Sequence, residues 1–216
     1  MDQEDQKFFS KERGLLIVVS GPSCAGKGTV CKIVRENHPE YKMSISETTR
    51  SPRPKEINGI DYFFVTEKEF LQQIDQGAFL EYAKVYDHYY GTPRKFVNTL
   101  LEKGQDVILE IDIQGAAKVR NNYKEGIYIF IAPPSMKELR NRIEKRGTED
   151  PKQMEMRLGC AYDEMTNAAD YSYIVINDDK DVAAGQVEAI IEAEKCRTER
   201  LKNKVDGIIE RVTIHE

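Results

Sequence analysis

The apolar run LLIVV, residues 15–19, leads straight into SGPSCAGKGTV, residues 20–30. A short run with no polar interruption suits a strand buried on both faces, as in a parallel sheet. A helical pattern resumes at Thr29. The order strand, Gly21-x-x-x-x-Gly26-Lys27, helix leaves little freedom in the fold. The glycines let backbone N–H groups turn inward on phosphate oxygens. The helix N-terminus adds partial positive charge, and the lysine reaches the β- and γ-phosphates of a nucleotide. The turn from Gly21 through Pro22, Ser23, Cys24, Ala25, Gly26, Lys27 and Gly28 to Thr29 is therefore the candidate cradle of a nucleoside triphosphate.

Such turns usually place Ser or Thr directly after the lysine, where the hydroxyl holds Mg²⁺. Here Gly28 stands there and Thr29 follows. The metal is then left to the nucleotide and water, or Thr29 helps. For Cys24 the plain reading is a small filler. The alternative is a thiol made reactive by the helix N-terminus.

The rest of the chain keeps the rhythm. Candidate strands at 43–46, 107–111, 127–131 and 173–176 alternate with helical patterns at 29–36, 67–75, 97–103 and 135–145. Strands alternating with helices predict an α/β layered fold with a parallel sheet. Residues 47–91 break the pattern, being rich in Tyr, Phe and charge and punctuated by Pro52, Pro54 and Gly59. They read as an inserted subdomain with its own small sheet and one helix. Residues 146–156, RGTEDPKQMEM, read as a mobile cover, and residues 1–12 as a loose polar tail. Beyond Asp181, the spacing of Leu201, Val205, Ile208, Ile209 and Val212 predicts an amphipathic helix docked on the core. The chain's 216 residues suit one sizeable domain, or a core with mobile subdomains.

Composition removes several function classes. With 32 basic against 37 acidic residues, the net charge is −5, which argues against an unspecific nucleic-acid coat. Cys24, Cys31, Cys160 and Cys196 form no CxxC pair and have no histidine at metal spacing, so a reduced compartment is expected. The charged N-terminus has no apolar signal-type region, and no stretch approaches the ~20 apolar residues of a membrane span. A cytoplasmic, soluble protein with no nucleic-acid or membrane partner is the expectation. Residues 177–180 read NDDK rather than the guanine-reading NKxD of a GTPase switch.

The acceptor of the phosphoryl group has its own candidates. Arg50 and Arg53, in SISETTRSPR, lie three apart with Pro52 between them. Two planar guanidinium groups near one point make a phosphate clamp, although exposed loop arginines are common. Tyr62 and Tyr90 offer hydroxyls to complete it. Glu81, in FLEYA, and Thr92 supply a carboxylate and a hydroxyl. A carboxylate accepts two N–H bonds side by side, which matches the N1–H and N2–H₂ edge of guanine and not the edge of adenine. Ser46 adds another hydroxyl. Asp112 ends VILEID, an acidic residue at the C-terminal end of a parallel strand beside the glycine turn. It either orients a water of Mg²⁺ or contacts the acceptor base. Glu110 faces the same side of the strand.

Taken together, GPSCAGKGT, SISETTRSPR, NGIDYFFV, FLEYAKVYDHYYGT, VILEIDIQGA, IFIAPPS, RGTED and VINDD resemble the guanylate kinase family, in the family's order, over about residues 14–185. The resemblance implies the P-loop nucleoside monophosphate kinase fold. That fold has a five-stranded parallel core sheet flanked by helices, an inserted mixed α/β subdomain for the monophosphate, and a helical lid. The corresponding boundaries are a tail at 1–12, a family domain at 13–196 with the insertion at 45–97 and the lid at 143–160, and a helical extension at 197–216. It further implies that Ser46, Glu81, Thr92 and Asp112 read guanine, that Arg50, Arg53, Tyr62 and Tyr90 hold the GMP phosphate, and that Asn177 joins the ATP site. Cys24, Tyr82 and Glu110 depart from the commoner family residues glycine, tryptophan and aspartate.

The reaction expected is transfer of the γ-phosphoryl group of ATP to GMP, with Mg²⁺ as cofactor. Thr29 and Asp112 are its candidate protein ligands, acting through water. Lys27 and Arg50 are the catalytic candidates, joined by Arg142 and Arg146, four apart on one helix face, and by Arg157. The rivals are a catalytically silent peptide-binding domain of the same family, which the intact turn with Lys27 disfavours, and a kinase for another monophosphate such as AMP. A monomer or a homodimer is expected.

Overall fold

A computed structural model describes residues 13–85, 87–146 and 151–213. The five expected core strands form, the one expected at 43–46 being reduced to Lys42–Met43, and residues 47–93 add four more among the described residues. In chain order they are β1 (Leu16–Ser20), β2 (Lys42–Met43), β3 (Glu47–Thr48), β4 (Phe63–Phe64), β5 (Phe79–Val85), β6 (His88–Pro93), β7 (Val107–Glu110), β8 (Ile127–Ala132) and β9 (Tyr173–Ile176).

Five of them make a parallel sheet in the order β2-β7-β1-β8-β9. β1 lies at its centre, and its residues are all buried, as an unbroken apolar run requires. Helices cover both faces. On one, α1 (Lys27–Asn37) brings Val30 and Val34 against Ile17, Val19, Ile108 and Ile129. On the other, α3 (Arg94–Glu102) and α4 (Ile113–Asn122) bring Val97, Leu101 and Val119 against Leu16, Val18 and Leu109. The chain leaves β1 and β7 at adjacent C-terminal ends, the crevice where open α/β sheets bind ligands.

The other four strands form a mixed sheet in the order β4-β3-β6-β5. α2 (Glu67–Asp75) packs on it. Its start is fixed by a capping box, in which the Glu69 N–H donates to Thr66 Oγ1 at 3.2 Å and the Thr66 N–H donates to Glu69 Oε2 at 2.8 Å. Phe70, fully buried, stacks on Phe79 at 4.4 Å and Tyr89 at 5.4 Å. The β5–β6 register shifts between Phe79 and Glu81. This irregularity lets Phe79, Leu80 and Glu81 be buried in succession, which strict alternation would forbid.

Two helices, α5 (Met136–Arg146) and α6 (Pro151–Thr166), pack together through Leu139, Ile143, Leu158 and Ala161. The Cys24 side chain rests against this cluster, as a filler would. Of the expected cover at 146–156, residues 147–150 lie outside the described residues, as does the expected tail at 1–12, while residues 151–156 are the first turns of α6 rather than an irregular segment.

The C-terminal expectation needs correction. α7 (Lys180–Lys195) already covers the α1 face of the sheet with Ala183, Ala184, Val187 and Ile191. The next helix is α8 (Thr198–Thr213). Val205, Ile208 and Ile209 are more than half exposed, and the start of α8 is held by Arg200 Nη2 donating to the Arg13 carbonyl at 2.7 Å. The spacing predicted the amphipathic helix correctly, but not its docking.

Candidate active site

The glycine turn links β1 to α1. Gly21 (φ 143°) and Gly26 (φ 97°) adopt backbone angles that favour glycine. A Cβ at Gly21 would lie 2.2 Å from the Ile131 carbonyl, and one at Gly26 would lie 2.2 Å from Asn177 Nδ2. Lys27 Nζ donates to the Gly21 carbonyl at 2.6 Å and the Pro22 carbonyl at 3.0 Å. Burial pulls its pKa below that of an ordinary lysine, while Glu110 and Glu164 oppose the shift.

Asn177 and Arg142 stand behind the turn. Asn177, 4 % exposed, donates to the Ala25 carbonyl at 2.8 Å. Arg142 donates to the Ala25 carbonyl at 3.3 Å, to the Asn177 carbonyl at 2.9 Å and to Glu138 at 3.2 Å. Both brace the loop from outside the cleft. The side chains of Arg146 and Arg157 lie outside the described residues. Gly28 lies close to Glu110: a Cβ there would come within 3.2 and 3.4 Å of the two Glu110 carboxylate oxygens. Thr29 is exposed on α1 and is not among the residues that line the cleft.

The cleft has a volume of about 750 Å³, a size that suits small-molecule sites. Gly21, Ser23 and Lys27, the expected donor side, line it together with Ser46, Tyr62 and Tyr90 from the expected acceptor side. Glu81, Glu110 and Asp112 complete the wall between them. The two halves predicted from separate motifs therefore share one cavity.

Glu81 is 7 % exposed. Thr92 Oγ1, fully buried behind it, donates to Glu81 Oε1 at 2.7 Å. Asp112 caps α4, accepting the Gly115 N–H at 2.6 Å. Gly115 lets the carboxylate approach, since a Cβ there would lie 2.8 Å from Glu81 Oε2. Burial pushes the Glu81 carboxyl up to about 7. The Thr92 hydrogen bond opposes the shift, Asp112 adds to it, and Lys118 opposes it. Burial likewise raises the Glu110 carboxyl, with Lys27 opposing.

Arg50 Nη2 pairs with Glu56 Oε1 at 2.9 Å and Nη1 donates to the Ser51 carbonyl at 2.7 Å. Its guanidinium lies 5.6 Å from the Tyr62 ring centre and 5.9 Å from that of Phe64. Arg53 is exposed. Neither arginine is among the cleft-lining residues, but the Tyr62 beneath Arg50 is.

Sequence reasoning missed Glu56 and Glu164. Glu164, on α6, lines the cleft beside Ser23. Burial raises its carboxyl, while Lys27 and the Ser23 N–H oppose the shift. No local motif could pair Glu164 with a turn that lies so far away along the chain.

The family profile described as guanylate kinase matches residues 13–194. The chain belongs to the guanylate kinase family. It is 58 % identical over 193 residues to the guanylate kinase of Caldanaerobacter subterraneus subsp. tengcongensis, covering 89 % of this chain and 94 % of that one. To the guanylate kinase of Clostridium tetani it is 53 % identical over 202 residues, covering 92 % and 97 %. Its fold is similar to the crystal structure of guanylate kinase from Anaplasma phagocytophilum, with a TM-score of 0.72 at 34 % identity, covering 88 % and 90 %.

Proposed function

We propose that this guanylate kinase family member seats ATP on the turn from Gly21 to Thr29 and GMP opposite it, transferring the γ-phosphoryl group to give ADP and GDP. The observation that carries the acceptor assignment is the Glu81–Thr92 pair, packed against Gly115 at the wall of the same cleft that holds Lys27. An ionised Glu81, held from behind by Thr92, accepts both N1–H and N2–H of guanine, while Ser46 and Asp112 supply further polar contacts. Arg50, Arg53, Tyr62 and Tyr90 hold the phosphate end.

Phosphoryl transfer requires alignment and charge neutralisation more than covalent chemistry from the protein. A GMP phosphate oxygen attacks the γ-phosphorus in line. Lys27, which now donates to the Gly21 and Pro22 carbonyls, turns its ammonium to the phosphate oxygens and stabilises the charge there. The insertion at 45–97 and the lid at 143–160 close over the substrates and exclude water. We assign Arg142, Arg146 and Arg157 to charge stabilisation in the closed state.

The residues present fit Mg²⁺. Glu110 places a hard carboxylate against Gly28, where the usual turn has a hydroxyl, and Asp112 lies on the same wall. These two carboxylates, rather than the exposed Thr29, are the candidates to hold water of the metal. When bound, Mg²⁺ neutralises phosphate charge in the cleft.

Lys27→Ala tests the donor half. Turnover, read by coupled ADP release, falls by at least about a thousandfold, and calorimetric GMP binding persists. Near-normal turnover in that variant contradicts the assignment.

A further inference from the structure

One carboxylate beside the acceptor side has no part in the scheme above. Glu56 accepts twice within one segment. Its Oε1 takes Arg50 Nη2 at 2.9 Å, and its Oε2 takes the backbone N–H of Arg53 at 2.7 Å. The Glu56 N–H in turn donates to the Arg53 carbonyl at 3.0 Å, closing the turn Arg53-Pro54-Lys55-Glu56. Pro54 stands at the second position and Lys55 at the third with φ 80°, where a type II turn favours glycine. A lysine in that conformation is strained, and such strain persists only where surrounding contacts over-determine it. The reciprocal bonds between Arg53 and Glu56 are contacts of that kind.

Arg50 is held on several sides. Ser51 takes Nη1 at 2.7 Å, the Tyr62 and Phe64 rings lie beside it at 5.6 and 5.9 Å, and the Tyr90 hydroxyl also interacts with it. Its side chain is only 13 % exposed and that of Glu56 only 18 %. A guanidinium has five N–H donors. The bonds to Ser51 and Glu56 use two of them, and the buried Nε has no partner among the described residues. The ion pair therefore fixes the group without exhausting it.

We propose that Glu56 is a positioning residue for the GMP phosphate, aligning the Arg50 guanidinium and the Arg53 backbone before the nucleotide arrives. The proposal rests on the reading that Arg50 and Arg53 bind that phosphate. A long arginine side chain otherwise loses rotamer freedom at the moment of binding, and a fixed one has already lost it. The Arg50 hydrogen bond, then the Arg53 N–H, hold the Glu56 carboxyl below the usual range, so it stays ionised as this role requires. The competing effect is repulsion between Glu56 and the incoming phosphate. Alignment and repulsion predict opposite signs for the loss of the charge.

Steady-state kinetics with ATP saturating separate them. Glu56→Gln raises KM for GMP about tenfold, the size of one lost charge-assisted hydrogen bond, and leaves KM for ATP unchanged. Glu56→Asp keeps the charge and recovers part of the loss. In an Arg50→Ala background, Glu56→Gln adds little to the KM increase already present, because the group it aligns has gone. Thermal melting accompanies each variant, since a merely structural role lowers the melting temperature and moves both KM values together. The proposal is overturned if Glu56→Gln leaves KM for GMP within about twofold, below the reach of one such bond, or lowers it, while Arg50→Ala raises it. An unchanged KM for GMP in Arg50→Ala removes the underlying reading of the arginine clamp and the proposal with it.

Discussion

On the proposed reading, Glu81 serves two opposed demands. Burial favours its neutral form, with the carboxyl near 7, whereas two guanine N–H donors require the ionised form. Affinity for GMP therefore rises with pH up to about 7 and levels off above it, as binding ceases to release a proton. Calorimetry from pH 6 to 8 checks this. Glu81→Gln binds GMP more weakly and loses this part of the pH dependence, while the second ionisation of the phosphate, near 6, is common to both proteins. Stability runs the other way. The carboxyl's ordinary value is 4.5 and the folded one about 7, so the folded state holds more protons between those values. The stability Glu81 contributes is complete below 4.5 and is lost as pH rises through 7. Gly115→Ala acts on the same contact. The new Cβ meets the carboxylate end of the Glu81 side chain at 2.8 Å rather than backbone, so a rotation of that side chain, at the expense of its bond to Thr92, accommodates it. KM for GMP rises by about tenfold or more, with the melting temperature unchanged or higher, because alanine favours a helix over glycine.

At the scale of elements, the mixed sheet carries the proposed acceptor residues around the stacked rings of Phe70, Phe79 and Tyr89. Phe70→Ala removes the ring stacked on Phe79 and Tyr89, at a cost of about 3–5 kcal/mol. Hydrogen exchange then accelerates across residues 47–93 before it does in the parallel sheet, and KM for GMP rises more than KM for ATP. These elements were largely legible in the sequence. The unbroken run at 15–19 gave β1 its central place, and the pattern at 67–75 matched α2, whose Thr66 and Glu69 cap is a local signal. α1 begins two residues before its apolar pattern, because Gly26 in a left-handed conformation starts the helix at Lys27. Glu56 was not legible, because its role depends on a turn with Lys55 at positive φ, a conformation composition does not announce. The exposed row on α8 was misread because periodicity identifies an apolar face without showing whether another helix, here α7, already covers the core.

At the scale of the whole molecule, the proposed function depends on one cleft joining a cradle at the end of β1 to a wall built from β5, β6 and the start of α4, which we propose reads guanine. The most direct test is ATP-dependent phosphorylation of GMP, AMP, CMP and UMP compared side by side as kcat/KM. A site whose buried polar groups must all be paired rejects the wrong base strongly, so GMP leads the others by about 10⁴-fold. Comparable phosphorylation of AMP, or none of GMP, would contradict the account.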